Sequence, residues 1–225
     1  MQKIHHMFPS LHFAETGRMI TVRVNAETLH AFVEALIADQ WRLLTMMGND
    51  DRTHGGAFTV SWIFGLPKEN KVMRIILSVD PRKAVFPSIF HLVQSALLFE
   101  LEIRDMFGLT PEGNPELSAH DRDGKERMRR LVHHHNWPDG MYPLRKDFPW
   151  NKRPAMANVP FPFRHGEGTG VFEIPVGPIH AGVIEPGHFR LSAVGETILN
   201  LKVRLYYTHK GVEKLFEQKN LSDAI

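Results

Sequence analysis

At Asn25 the apolar repeat of this chain changes period, and that single switch constrains the fold more than any other feature. Before it, Ile20, Val22 and Val24 alternate with Thr21 and Arg23, which is the pattern of a half-buried strand over Met19–Val24. After it, Leu29, Phe32, Val33, Leu36 and Ile37 recur at the spacing of an amphipathic helix with about 3.6 residues per turn. Asn25 carries a side chain that can cap such a helix. A strand feeding straight into a helix with one apolar stripe must bury both against a common core.

The residues that follow supply the rest of that core. Leu43–Met47 reads as a strand ending in the polar turn Gly48-Asn49-Asp50-Asp51. Phe58, Val60, Trp62 and Phe64 alternate with Thr59, Ser61 and Ile63, and the turn Pro67–Asn70 joins this strand to Val72–Val79 as a hairpin. A second helix is expected from about His91 to Asp105. The expected class is α+β, with an α/β sandwich domain over residues 1–108, its sheet on one side and its helices on the other.

From Gly108 to Gly170 the pattern weakens. Pro, Gly, His and Asn are frequent, and charge clusters between His120 and Arg130. A structureless loop that long does not sit inside one domain, so residues 109–170 are read as an extended docking arm. Regular patterning resumes with strands at Val171–Val176, His188–Val194 and Ile198–Tyr206, and a short helix near Gly211. Residues 171–225 are read as the incomplete, β-rich start of a further domain. Its last strands and helix are expected to expose apolar surface that a partner covers, so the isolated chain should self-associate or fold poorly beyond Trp150.

Composition removes several function classes. The 225 residues are 43% hydrophobic and 23% charged, as in an ordinary globular protein, and a net charge of +2 with no aromatic-interleaved basic stripe argues against nucleic acid. There is no cysteine, which excludes disulfides, thiolate catalysis and cysteine-held clusters within these residues. Met1–Phe8 has no apolar run of a secretory signal, and Leu92–Leu101 is too short and polar for a membrane span. A cytoplasmic chain is expected.

Two segments stand out. Glu100-Leu101-Glu102-Ile103-Arg104-Asp105-Met106-Phe107-Gly108 closes a helix. Glu100 and Arg104 are spaced to pair on the helix surface. Asp105 projects about 40° from Leu101, near the apolar side, where a carboxylate needs a partner. Gly108 suits the chain reversal. In Tyr142-Pro143-Leu144-Arg145-Lys146-Asp147-Phe148-Pro149-Trp150, two prolines stiffen the backbone and four apolar side chains offer anchors. Arg145 and Asp147 suit charge-assisted bonds that fix such an arm. Read without further context, the first is a charged helix end and the second a docking segment, neither catalytic.

The order of "ELEIRDMFGL", "NPEL", "RRL" and "YPLRKDFPW" resembles the 30-kDa-type subunit of respiratory complex I over Arg18–Trp150. In that family the stretch wraps onto the neighbouring quinone-site subunit. The sequence departs from the family at Asn114, where a His is usual, and by extra residues around Ser118–Glu126. A third segment extends the likeness. Gly177-Pro178-Ile179-His180, Glu185-Pro186-Gly187-His188-Phe189-Arg190, Gly195-Glu196 and Tyr207-Thr208-His209-Lys210-Gly211-Val212-Glu213-Lys214 are similar to the opening of the 49-kDa-type subunit and of energy-converting nickel–iron hydrogenase large subunits. Both regions fused in one chain resemble the formate hydrogenlyase large subunit.

The resemblance implies a place in a membrane-associated oxidoreductase, peripheral on the cytoplasmic face of the inner membrane, beside an iron–sulfur small subunit and membrane subunits. It implies no cofactor in this chain, with nickel–iron and iron–sulfur clusters, or quinone and NAD, in the parent complex. His180 matches a histidine that enters the quinone cavity and could donate a proton there, with Glu185 and His188 as relay candidates. Glu100, Glu102, Arg104, Asp105, Gly108, Arg145, Lys146, Asp147, His209 and Glu213 are carried over as docking or structural residues. Because the family's metal ligands are two Cys-x-x-Cys pairs, the chain is expected to be truncated or split, and inactive alone.

Plainer readings stand beside these. His188 and His209 read equally as satisfied structural histidines, and Gly177, Pro178 and Gly187 as loop formers. A non-catalytic assembly protein would keep the same docking surfaces. A zinc module built on His120, His133, His134, His135 and His165 lacks any supporting cysteine.

Overall fold

The computed structural model describes residues 2–120, 126–134, 136–149, 151, 154–156, 166–217 and 219–224. They form two compact units, one of Met1–Arg129 with Tyr142–Phe148, the other of Arg130–Met141 with Pro149–Ile225.

The first unit opens with α1 (Gln2–Met7), β1 (Phe13–Thr16), β2 (Met19–Val24) and α2 (Ala26–Ala38). Asn25 caps α2 through a 2.8 Å bond from the Thr28 amide to its side chain, where the sequence placed it. β3 (Arg42–Asp50), the four-residue α3 (Arg52–Gly55), β4 (Phe58–Leu66) and β5 (Lys71–Val79) follow. The expected turn at Gly48–Asp51 lies later: β3 runs on through Asp50, because its residues up to Asp50 pair with β4 as far as Phe58. Together these strands make one five-stranded sheet in the order β1-β2-β5-β4-β3. β2 and β5 are its parallel pair, and its other pairings are antiparallel.

Register explains the core. Val22, Ile75, Trp62 and Met46 lie directly opposite one another across four strands, and all four are buried. Each fully buried side chain of this size contributes roughly 1.5–3 kcal/mol. After β6 (Val85–Pro87) comes α4 (Ala96–Phe107), on the same face: a Cβ at Gly48, opposite Val60, would meet the Phe107 ring at 2.7 Å. The Trp62 ring meets Phe86 edge-on. The helix begins at Ala96 rather than His91, because residues 89–95 are held in tight turns by bonds such as Val93 N to Ile89 O.

The stretch expected to be an arm carries short elements of its own. β7 (Thr110–Glu112) pairs in parallel with β6, and β8 (Ser118–His120) pairs with β9 (Glu126–Met128). The described residues of 109–129 cluster with the first unit, as do Tyr142–Phe148.

In the second unit β10 (Val171–Val176), β11 (His188–Val194) and β12 (Thr197–Arg204) form an antiparallel sheet with β11 in the middle, followed by α5 (Val212–Phe216). The mixed α and β content agrees with the class expected from the sequence. Among the described residues no helix is long and apolar enough to cross a membrane.

Candidate functional site

Two arrangements bring the candidate residues together, one within each unit. In the first, the segment 142–148 closes over the end of α4. The last carbonyls of a helix have no partner within it. Here the Leu144 amide donates to Met106 O at 3.1 Å and Arg145 Nε donates to Phe107 O at 2.6 Å. The Arg145 cation thereby meets the negative end of the helix. Its guanidinium also stacks over the rings of Tyr142, 4.3 Å from the centroid, and Phe58, 5.0 Å away. Burial pulls the Arg145 guanidinium below its usual range.

Gly108 makes this approach possible. It adopts φ 68°, and a Cβ there would collide with two carbons at the edge of the Tyr142 ring and come within 2.7 Å of Arg145. Only glycine meets both demands without strain.

A charged network fixes the other end of the segment. Asp50 receives both Arg52 Nε, at 2.8 Å, and Arg52 Nη2, at 2.7 Å, and the amide of Lys146 at 2.8 Å. Burial raises the Asp50 carboxyl, but these donors outweigh it and hold the group at about 2. Arg52 turns its remaining edge to Asp147, at 2.9 and 3.3 Å. That bond lowers the Asp147 carboxyl, although the side chain is 66% exposed. The sequence singled out Arg145, Lys146 and Asp147, but not Asp50, Arg52 or Phe58. The available signal was an acid–acid–base run, Asp50-Asp51-Arg52, at the end of a strand.

Glu100 and Arg104 of α4 are buried rather than placed on the helix surface. Glu100 does not pair with Arg104 on the helix surface. It is fully buried and accepts from Ser88 Oγ at 2.7 Å, the Ile89 amide at 2.9 Å and Asn114 Nδ2 at 2.7 Å. These donors sit just beyond β6 and β7, so one carboxyl ties the ends of both short strands to the helix. Burial pushes the Glu100 carboxyl up, against the opposing pull of those donors. Arg104 is buried as well, donating to Leu117 O at 3.0 Å and pairing with Asp105 at 3.3 Å, the partner that Asp105 needed. Glu102 is exposed.

In the second unit the loop between β10 and β11 is clamped at its neck. His180 Nε2 lies 2.8 Å from Gly187 O, and His188 Nδ1 lies 3.0 Å from Gly177 O. Both partners are carbonyls, so both ring nitrogens carry the hydrogen. The Gly187 amide donates back to Pro178 O at 3.3 Å. Gly177 has φ 74°, and a Cβ on it would strike Gly187 O and come within 2.6 Å of His180. Beyond the neck, Ile179, Val183, Ile184 and Glu185 are exposed. His209 and Glu213 approach to 3.2 Å at the start of α5.

His133 stacks on Trp137, and His134 packs against Trp137 and Tyr207. Burial and the nearby Arg130 lower the His134 imidazole. His135, His165 and the side chain of His120 lie outside the described residues. Among the described residues no cluster of three His, Asp or Glu side chains is placed to hold a metal ion.

Comparison with known proteins bears on both arrangements. The sequence matches the family described as "Respiratory-chain NADH dehydrogenase, 30 Kd subunit" over residues 22–154. It is 35% identical to formate hydrogenlyase subunit 5 of Escherichia coli, in an alignment covering 96% of this chain and 38% of that protein. It is 36% identical to hydrogenase-4 component G of Escherichia coli, covering 91% of this chain and 36% of the relative. The chain therefore spans less than two-fifths of the length of either. Its fold resembles a chain of the membrane-bound sulfane sulfur reductase (MBS), an archaeal respiratory membrane complex, with a TM-score of 0.55 and 20% identity over 66% of this chain and 83% of that one. By the match that spans α2, β3 to β5, α4 and the segment that closes over its end, this chain belongs to the 30-kDa subunit family of the respiratory-chain NADH dehydrogenase.

Proposed function

We propose that this chain is a subunit of a membrane-associated oxidoreductase of the complex I and formate hydrogenlyase kind. In this reading the first unit docks the peripheral electron-transfer arm and the second contributes to a quinone- or hydrogenase-type site. The observation that carries it is the extent of the likeness to formate hydrogenlyase subunit 5, which at 96% of this chain takes in both units rather than the 30-kDa region alone.

The clasp serves docking by rigidity. With Arg145 and Asp147 engaged on the first unit, residues 142–148 present a fixed surface and no ordering cost falls on association. At the loop neck, His180 keeps its Nε2 hydrogen on Gly187 O, so the proton it exchanges is carried at Nδ1. Glu185, exposed on the same loop, is the carboxylate that passes a proton onward, and His188 holds the loop base through Gly177 O. Quinone, NAD, nickel–iron and iron–sulfur groups belong to the parent assembly in this reading. A cysteine-held nickel–iron centre does not fit these 225 residues, which contain no cysteine, so its ligands come from elsewhere in the assembly.

The test is affinity purification of the tagged chain from its native host, with identification of what accompanies it. Stoichiometric recovery with an iron–sulfur small subunit and membrane subunits supports the proposal. Recovery only with half-built complexes would favour an assembly protein, and recovery of the chain alone would remove the roles given to His180, Glu185 and His188.

A further inference from the structure

The sheet of the second unit is turned inside out toward solvent. In an antiparallel sheet with one covered face, apolar side chains line the covered face and polar ones meet water. Here Phe172, Ile174 and Val176 on β10 share a face with Ile198, Leu201 and Val203 on β12, and their exposures run from 39% to 55%. Leu191 of β11 stands between Ile174 and Leu201 in the same row. No residue of that face is charged. On the reverse face Ser192 is 1% exposed and Arg204 4%. The outer strands thus carry their exposed apolar side chains on one face, with Ala193 of the central strand buried among them, while Ser192 and Arg204 are buried on the other, over three strands of six to eight residues.

An uncharged, flat apolar face of this extent is the signature of an interface. Its occupant must itself be apolar and uncharged, since a charge buried there would lack a partner. The relatives indicate where such a surface resides. Alignments covering 96% and 91% of this chain include this sheet, and they take up only 38% and 36% of the relatives, so most of the relatives' length lies outside the match. We propose that the β10–β11–β12 face is the seat of the polypeptide corresponding to that remaining length, which lies across the sheet and covers the row Ile174–Leu191–Leu201. The proposal rests on the functional reading above and names the partner surface within it.

The test uses the full chain and, as probe, the part of Escherichia coli formate hydrogenlyase subunit 5 that lies outside the match. The two are co-expressed and the tagged chain is recovered. The wild-type chain is expected to retain the probe, with slowed deuterium exchange across β10–β12. Leu201→Glu should weaken retention roughly tenfold or more, whereas Leu98→Glu, at an exposed site on α4, should leave it unchanged. Ile174→Ser repeats the measurement with a milder change, and circular dichroism establishes that each variant is folded. Failure of the wild-type chain to retain the probe, or equal retention by Leu201→Glu, would overturn the proposal. So would a wild-type dimer that Leu201→Glu dissociates and the probe does not, because the face would then belong to a second copy. If the native assembly forms normally with Leu201→Glu, this inference fails and the functional reading survives. If no assembly is recovered even with the wild type, the functional reading fails, and probe binding is still scored on its own.

Discussion

Arg145 Nε donates at 2.6 Å to the carbonyl of Phe107, so a segment nearly forty residues downstream completes the end of α4. Lysine keeps the charge but cannot make this bond while stacking between Tyr142 and Phe58. Arg145→Lys is therefore expected to destabilise the first unit by about 1–2 kcal/mol. Urea denaturation followed by tryptophan fluorescence measures this, and an unchanged midpoint would show that the bond contributes nothing.

Gly108 has two reasons to be glycine, and they can be separated. Gly108→Ala should cost about 1–3 kcal/mol from the left-handed backbone, with a further loss from collision with Tyr142. In the double variant with Tyr142→Ala the collision disappears, so the two losses should fall short of additivity. Strict additivity would mean the ring is not where the clasp requires it.

Asp50 links the clasp to pH. Its carboxyl is lowered from 3.8 to about 2 in the folded chain, so the stabilisation is fully present above about pH 4 and disappears as pH falls toward 2. The shift corresponds to roughly 2 kcal/mol. In Asp50→Asn that portion of acid sensitivity should vanish, which denaturation at a series of pH values between 2 and 5 would reveal.

Glu100 shifts the opposite way. Its carboxyl is raised above 4.5, so its contribution is present below that value and lost as pH rises through the folded-state pKa. Glu100→Gln keeps one acceptor but turns an amide NH2 toward the donors on Ser88 and Asn114, at a cost of about 1–3 kcal/mol. That penalty should be greatest below pH 4.5 and shrink at higher pH. A penalty that grew with pH would mean the carboxylate, not the acid, is the favoured form.

The loop neck offers a fifth contrast. His180→Ala removes the donor to Gly187 O and should speed amide exchange at residues 179–187 at least several-fold, while exchange in β12 stays unchanged. His188→Ala should act on the same amides through Gly177 O. If neither variant alters exchange, the neck is held by its backbone alone.

The strands and helices that repeat their pattern were legible in the sequence. Met19–Val24 begins and ends where the alternation does, and Asn25 caps the helix it precedes. The fully buried Glu100 was not legible, because its donors come from two loops with no period to betray them, and spacing alone favoured Arg104. β6 to β9 are three residues each, too short to carry an alternation. The clasp was half visible: Arg145 and Asp147 were suspected from charge and flanking prolines, while Asp50 and Arg52 sit at a strand end that reads as an ordinary turn.

The parallel pairing of β2 with β5 sets an order of events during synthesis. Val22 and Ile75 are direct neighbours in the sheet yet stand about 50 residues apart in the chain, so closing that pair carries a loop entropy no local hairpin meets. β2, made first, has no β5 to pair with until residues 71–79 follow, while β4 and β5 are joined by a short local turn. The end of α4 and the carboxylate of Asp50 remain unsealed until residue 147 has left the ribosome. A nascent chain halted before Tyr142 would contain every strand of the five-stranded sheet yet lack the donors that close the end of α4, so the clasp is the part of the first unit that is made last.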